Sequence, residues 1–268
     1  MTKRGPRVSV CIITLSILLY CISSPLAYTK DLAFVPGETL EYKVQWEFVP
    51  AGQAKFEVGF TQMDKRQVYH FILKATTNSF VNLFYKLDEK IESYTNKSLE
   101  RSYLYKERNK GSNEKRIVVS FDWTEMVVRY SNFGEKREPV PITQSTIDPL
   151  ASFYALRTKK LYEGAIIEFP VTNGKKHFIG KVVVAGMERI EVNGKQFKTF
   201  IVKPDVNYFG GVFEESKDPG LTLWLTADKR KIPVKIDVKV SIGSVIVELE
   251  SITKPKDDVR ETSVPQKK

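Results

Sequence analysis

Over most of this chain apolar and polar residues alternate one for one, a period that admits little except antiparallel β-structure with one buried face. Leu40, Tyr42, Val44 and Trp46 alternate with Glu41, Lys43 and Gln45. Ala54, Phe56, Val58 and Phe60 run back after Pro50-Ala51-Gly52, which predicts a hairpin turned at those three residues. Tyr69, Phe71 and Leu73 supply a third strand. The stretch 80–94 alternates at Val81, Leu83, Tyr85 and Leu87 and is also read as strand. Further strands are expected over 102–108, 115–121 and 125–130, with turns at Gly111-Ser112-Asn113 and Asp122-Trp123. In the second half they fall at 166–171, 181–191, 196–203, 221–226, 232–240 and 244–251. Asn173-Gly174 and Asn193-Gly194 are short-hairpin signals, since both central positions of such a turn need positive φ.

One stretch breaks the period. In Asp148-Pro149-Leu150-Ala151-Ser152-Phe153-Tyr154-Ala155-Leu156-Arg157 the apolar residues approach helical spacing. Asp148 can cap the first turn through its carboxylate, and Pro149 suits the first helical position, where its missing N–H has no partner to lose. Leu150, Phe153 and Tyr154 form one apolar face that has to be buried. The expected fold is mainly β: a strongly curved antiparallel sheet or open β-barrel of about ten to thirteen strands, with one central helix packed on its concave side.

The first 27 residues read as a signal peptide. Lys3, Arg4 and Arg7 precede an apolar run from Val8 to Ile22, and Ser23 to Ala27 offer a cleavage region. The reading implies export to the periplasm; an uncleaved anchor is the competing reading. A single domain over 28–252 and a disordered polar tail over 253–268 complete the expected organisation. Both cysteines, Cys11 and Cys21, lie in the leader, so the exported part would carry no disulfide and no thiol nucleophile. The formal charge is +10, of which the leader supplies three positive charges and no negative one. In an exported protein this balance suits a solvated basic surface or anionic envelope lipids, and makes nucleic acid an unexpected partner.

The chain contains no Gly-x-Ser-x-Gly elbow, no phosphate-binding glycine loop and no dinucleotide fingerprint. His70 and His177 are far apart, each in a strand-like stretch without a neighbouring ligand at metal spacing. No enzyme, cofactor or metal is expected. Arg157, at the end of the helix's apolar face, could cap the helix, pair with an acid or hold an anionic head group. The irregular stretch 204–220, with aromatics around Gly210-Gly211, could cover a cavity or fold into the core. The residues singled out for ligand contact are Phe153, Tyr154, Arg157, Tyr208, Phe209, Phe213 and Trp224. Asp148, Pro149, Asp228 and Arg230 are expected to serve structure.

Four segments follow one another along the chain: Pro36-Gly37-Glu38 with Leu40-Glu41-Tyr42, then Val49-Pro50-Ala51-Gly52, then 148–157, then Leu223-Trp224-Leu225-Thr226 with Asp228, Arg230, Pro233 and Val234. In this order they resemble the DUF3108 group of exported bacterial proteins of uncharacterised function. The resemblance implies a periplasmic β-rich domain and supplies no catalytic residues. The closing run is also similar to strands of LolA/LolB-type periplasmic lipoprotein carriers, an analogy of fold pattern only.

Three readings remain open from these residues. The first is a binding or carrier module for an amphipathic envelope molecule: a lipid, a lipid-linked sugar or an acyl chain. It predicts a continuous apolar cavity with Arg157 or other bases at its mouth. The second is a structural or interaction protein of the envelope, with a filled core, an exposed patch and an envelope protein as partner. The third is an envelope polysaccharide hydrolase, which needs two carboxylates facing each other. Contact with a membrane would be peripheral at most, and the oligomeric state is open.

Overall fold

The structure is a computed structural model, and it describes residues 33–206, 220–239 and 243–253. The expected signal peptide, the polar tail beyond Thr253, and Tyr208, Phe209 and Phe213 lie outside the described residues. The described residues form fifteen strands and one α-helix. The first half holds β1 (Thr39–Trp46), β2 (Val49–Met63), β3 (Arg66–Thr77), β4 (Asp88–Thr95) and β5 (Ser102–Asn109). It continues with β6 (Lys115–Asp122), β7 (Val127–Asn132) and two short pieces, β8 (Glu135–Lys136) and β9 (Val140–Pro141). Helix α1 (Pro149–Arg157) follows, then β10 (Ile166–Thr172), β11 (His177–Val192) and β12 (Lys195–Pro204). The chain closes with β13 (Gly220–Thr226), β14 (Pro233–Lys239) and β15 (Ser244–Thr253). The count exceeds the expected one because β8 and β9 are two-residue pieces added at the β7 edge.

All the strand pairs are antiparallel and nearly all join neighbours in sequence. The exceptions are β9, which pairs with β7, and β1, which pairs with β15 and so joins the two halves into one sheet running from β10 through β15 and β1 to β8. The edge strands do not pair with each other. In that order β10 and β5 stand ten places apart, about 48 Å in a flat sheet at about 4.8 Å per strand. Yet adjacent residues reach both: Thr146 bridges Arg101 at the start of β5, and Ile147 bridges Val171 in β10. The sheet is therefore strongly curled, and the segment 146–147 spans its opening. The loop after β10 meets the far side as well, since a Cβ on Gly174 would stand 2.6 Å from Val119 and 2.9 Å from Tyr130.

Three local expectations need correction. The first turn is made at Glu47 (φ 53°) and Phe48, while Pro50, Ala51 and Gly52 already belong to β2, whose register shifts there. Residues 80–87 are not strand: Val81–Leu83 form a single 3-10 turn, and β4 begins only at Asp88. Phe80, Leu83 and Phe84 are exposed, so their alternation reflects no buried face. Asn193-Gly194 makes the tight two-residue turn with both φ positive, whereas Asn173-Gly174 belongs to a four-residue loop between Thr172 and His177.

The core lies between α1 and the concave face. Tyr154 is fully buried, stacked on Phe71 at 3.9 Å between ring centroids and edge-on to Phe34 at 5.2 Å. Offset and edge-to-face pairs of this kind add to the simple burial of ring area. His70 contacts Glu92 at 3.1 Å and stacks on Tyr94, and His177 stands 3.2 Å from the Thr146 hydroxyl. Each serves a local contact on a sheet face.

Candidate functional site

Helix α1 is held at both ends by buried polar groups. Asp148 is fully buried; its Oδ1 accepts the Ala151 amide (2.9 Å). Its Oδ2 accepts the hydroxyls of Ser93 (2.6 Å) and Ser102 (2.5 Å). Burial pushes the Asp148 carboxyl above its ordinary value, against the pull of these hydrogen bonds. Pro149 occupies the first helical position as expected. At the other end Arg157 is fully buried and donates to Glu38 Oε1 (2.7 Å), to the Ala33 carbonyl (2.9 Å) and to the Arg230 carbonyl (3.2 Å). Its guanidinium also lies over the rings of Phe34 and Tyr154. Arg230 donates to the second Glu38 oxygen at 3.0 Å. Glu38, itself buried, is thus gripped by two arginines, one from α1 and one from the turn between β13 and β14. Asp228 shapes that turn, accepting from the Thr226 hydroxyl and from the amides of Arg230 and Lys231.

On the sheet, residues opposite one another across a strand pair share a face. Following the concave face along each strand away from α1, burial falls. In β1 the inward residues Leu40 and Tyr42 are buried, Val44 is half-buried and Trp46 is 41% exposed. In β3, Tyr69 and Phe71 are buried and Leu73 and Ala75 half-buried. β13 and β14 repeat the pattern, from Leu223 and Ile236 to the half-buried Leu221 and Val238. The inner face stays apolar past the point where α1 covers it.

Beside the helix this uncovered surface deepens into a cavity of about 140 Å³. Phe153 and Leu156 of α1 face Phe169 and Val171 of β10, with Leu221 and Leu223 of β13 completing the apolar wall. Lys181 and Asp205 border it too, the Lys181 carbonyl accepting the Asp205 amide while the Lys181 side chain alternates to the outer face. Gly180 also lines it, and a glycine inside a strand leaves room for another group to approach the backbone.

A polar group faces the same concavity from β4, β5 and β6. Glu107 accepts from Lys115 Nζ at 3.1 Å and from the Tyr105 hydroxyl at 3.1 Å. Burial, then repulsion from Glu107, pushes the carboxyl of Glu89 up to about 7 from an ordinary 4.5, while Lys115 opposes the rise. This half-buried carboxyl makes stability depend on pH in a defined direction. Below 4.5 it is protonated in both the folded and the unfolded chain; between 4.5 and 7 only the unfolded chain ionises it, so stability falls as pH rises. Glu89→Gln removes that loss. At pH 8 the variant should be more stable than the parent by about 2 kcal/mol, the shift being worth about 3.4 kcal/mol before screening by water at a half-buried site. Urea unfolding at pH 4 and pH 8 checks this: a stability difference that does not change between the two pH values would place Glu89 in water.

The residues singled out from sequence separate. Phe153 lines the cavity. Tyr154 belongs to the packed core, and Arg157 is committed to Glu38 and two carbonyls rather than standing at a mouth. Trp224 points to the outer face, opposite in parity to the buried Leu223 and Leu225; its indole N–H donates to Glu188, and Lys235 lies over its ring. Glu38, Glu89, Glu107, Lys115 and Lys181 were not singled out. Only cross-strand register brings Glu89 and Glu107 onto one face, and no spacing in the sequence signals it. Among the described residues, no three His, Cys, Asp or Glu side chains group as a metal site would.

Residues 41–250 match the family DUF3108, described as a protein of unknown function. No curated protein matches the chain. Among solved structures it is similar to the beta-barrel-like protein of domain of unknown function DUF1849 from Brucella abortus. The two are 10% identical with a TM-score of 0.49, over 80% of this chain and 96% of that one. With the family match spanning the sheet from β1 to β15, the chain belongs to the DUF3108 family.

Proposed function

We propose that this protein is a non-enzymatic binding module of the cell envelope, periplasmic after export, that holds an amphipathic molecule in the cleft beside α1. The observation that carries the reading is the fall in burial along the concave face, where apolar rows run on without cover among the described residues and lead into the cavity. At about 140 Å³ the cavity is close to the ~150 Å³ apolar cavity that takes a benzene ring. It is well below the ~300–1,000 Å³ of sites that enclose a whole small molecule. It therefore receives the end of an acyl chain or similar apolar group, while the half-buried rows at Val44, Leu73 and Val238 take the rest. The Glu107–Lys115 pair meets the polar head.

A dansyl-labelled fatty acid titrated into the protein tests this. Binding at one site per chain is expected, and Leu221→Trp, which fills the cavity from a half-buried position, should weaken it about tenfold at an unchanged melting temperature. Absence of saturable binding by the parent protein, or equal binding by the variant, overturns the reading.

A further inference from the structure

We propose that two hairpin tips, residues 46–49 and 78–86, form a docking surface for a lipid bilayer containing anionic lipid. Phe48, at the tip between β1 and β2, is 91% exposed. In the 3-10 turn between β3 and β4, Leu83 is 77%, Phe84 76% and Phe80 59% exposed. Trp46 and Val49 flank Phe48 and are also exposed. Single exposed apolar residues are ordinary, but a contiguous group of six on adjacent tips marks an interaction site.

The tips are held together. Asn78 donates from its side chain to the Pro50 carbonyl (2.6 Å) and from its amide to Ala51 (2.8 Å). Its Oδ1 accepts the Val81 amide at 2.9 Å, which sets the 3-10 turn. A third tip is tied on by a reciprocal pair: Lys86 N donates to the Ser112 hydroxyl and Ser112 N to the Lys86 carbonyl. The rings are therefore presented by a braced surface, so their ordering cost is already met before contact.

Two features favour a bilayer over a protein face. The exposed apolar residues at hairpin tips include three phenylalanines and a tryptophan, side chains suited to the interfacial layer, where aromatic rings anchor. Lys86 and Lys110 are exposed beside these tips and can reach anionic head groups, in a chain whose charge of +10 includes three positive charges in the expected leader. The acids at this end are Glu47, Asp88 and Glu114, and Glu47 already accepts the Ser244 amide at 2.7 Å. The position is also apt: one row of cross-strand partners runs Leu221, Val238, Val245, Trp46, Val49. It joins the cavity wall to the tip, so a bilayer at the tips faces the uncovered rows of the cleft. That last step rests on the binding reading above; the docking itself does not.

The test is cosedimentation with phosphatidylglycerol–phosphatidylcholine vesicles, with phosphatidylcholine vesicles alone as the second arm. The parent should bind the anionic vesicles, less tightly at high salt. Phe48→Ser combined with Phe84→Ser, both exposed positions, should weaken binding about tenfold or more at an unchanged melting temperature. Leu221→Trp should bind vesicles as the parent does, which separates failure of docking from failure of the cleft. Failure of the parent to bind, or binding unaffected by the double substitution, overturns the proposal. So does sedimentation equilibrium showing a dimer that the double substitution dissociates while vesicles remain unbound, for then a second copy covers the tips.

Discussion

Glu38→Ala is expected to cost about 3–5 kcal/mol of stability, lowering the melting temperature by about 10 °C or more. Glu38 is 1% exposed and binds Arg157, which is fully buried, at 2.7 Å, and Arg230 at 3.0 Å. Removing the carboxylate strands the Arg157 guanidinium in the core with carbonyl partners but no counter-charge. Arg230 is less affected, because its side chain is 28% exposed and can turn to water. Replacing the cation as well separates stranded charge from lost packing. Glu38→Ala with Arg157→Met should recover about 2 kcal/mol or more of the loss, since a buried ion pair exchanged for apolar groups is often tolerated. Thermal and urea unfolding of the two variants gives the numbers. A cost below about 1 kcal/mol for Glu38→Ala would mean that water reaches Arg157 and that this cluster does not anchor the helix.

The same cluster marks the boundary of what the sequence made legible. Strands such as β1, β2 and β11 follow from a period-two pattern whose cause is local, the pleat placing alternate side chains on one buried face. Asp148 and Pro149 were readable for a similar reason, because an N-cap and a first-turn proline act within three residues. Glu38 was not, for its partners lie 119 and 192 positions away and an ion pair across that distance leaves no periodic trace. Trp224 shows a different failure: it was singled out for ligand contact, but its parity, opposite to that of the buried Leu223 and Leu225, assigns it to the outer face. The stretch 80–87 shows the converse, since alternation there accompanies exposed rings braced by Asn78. The cavity itself depends on how sharply the sheet curls, which is decided by the β1–β15 pairing and the 146–147 bridges between distant parts of the chain.

At the opposite end of α1, Asp148→Ala should be comparably damaging, at about 3 kcal/mol or more. The cap to Ala151 is worth about 1 kcal/mol. The hydroxyls of Ser93 and Ser102, both at 0% exposure, lose their acceptor and cost about 1–3 kcal/mol each when left without a partner. Asp148→Asn is the discriminating variant. Its carbonyl oxygen can still receive the Ala151 amide, and both serine hydroxyls can rotate to accept from the new amide group. It also lacks the ionisation that burial opposes. Because the folded-state carboxyl of Asp148 is raised, the stability linked to its protonation is complete below the ordinary value of 3.8 and is lost as pH rises through the folded value. Parent and Asn variant should therefore be closest in acid, where both groups are neutral, and diverge towards neutral pH in the variant's favour, while the Ala variant stays low throughout. Urea midpoints across pH 3 to pH 8 make the comparison. Equal, small losses for Ala and Asn at every pH would show that the helix is held by the packing of Tyr154 on Phe71 and not by its cap.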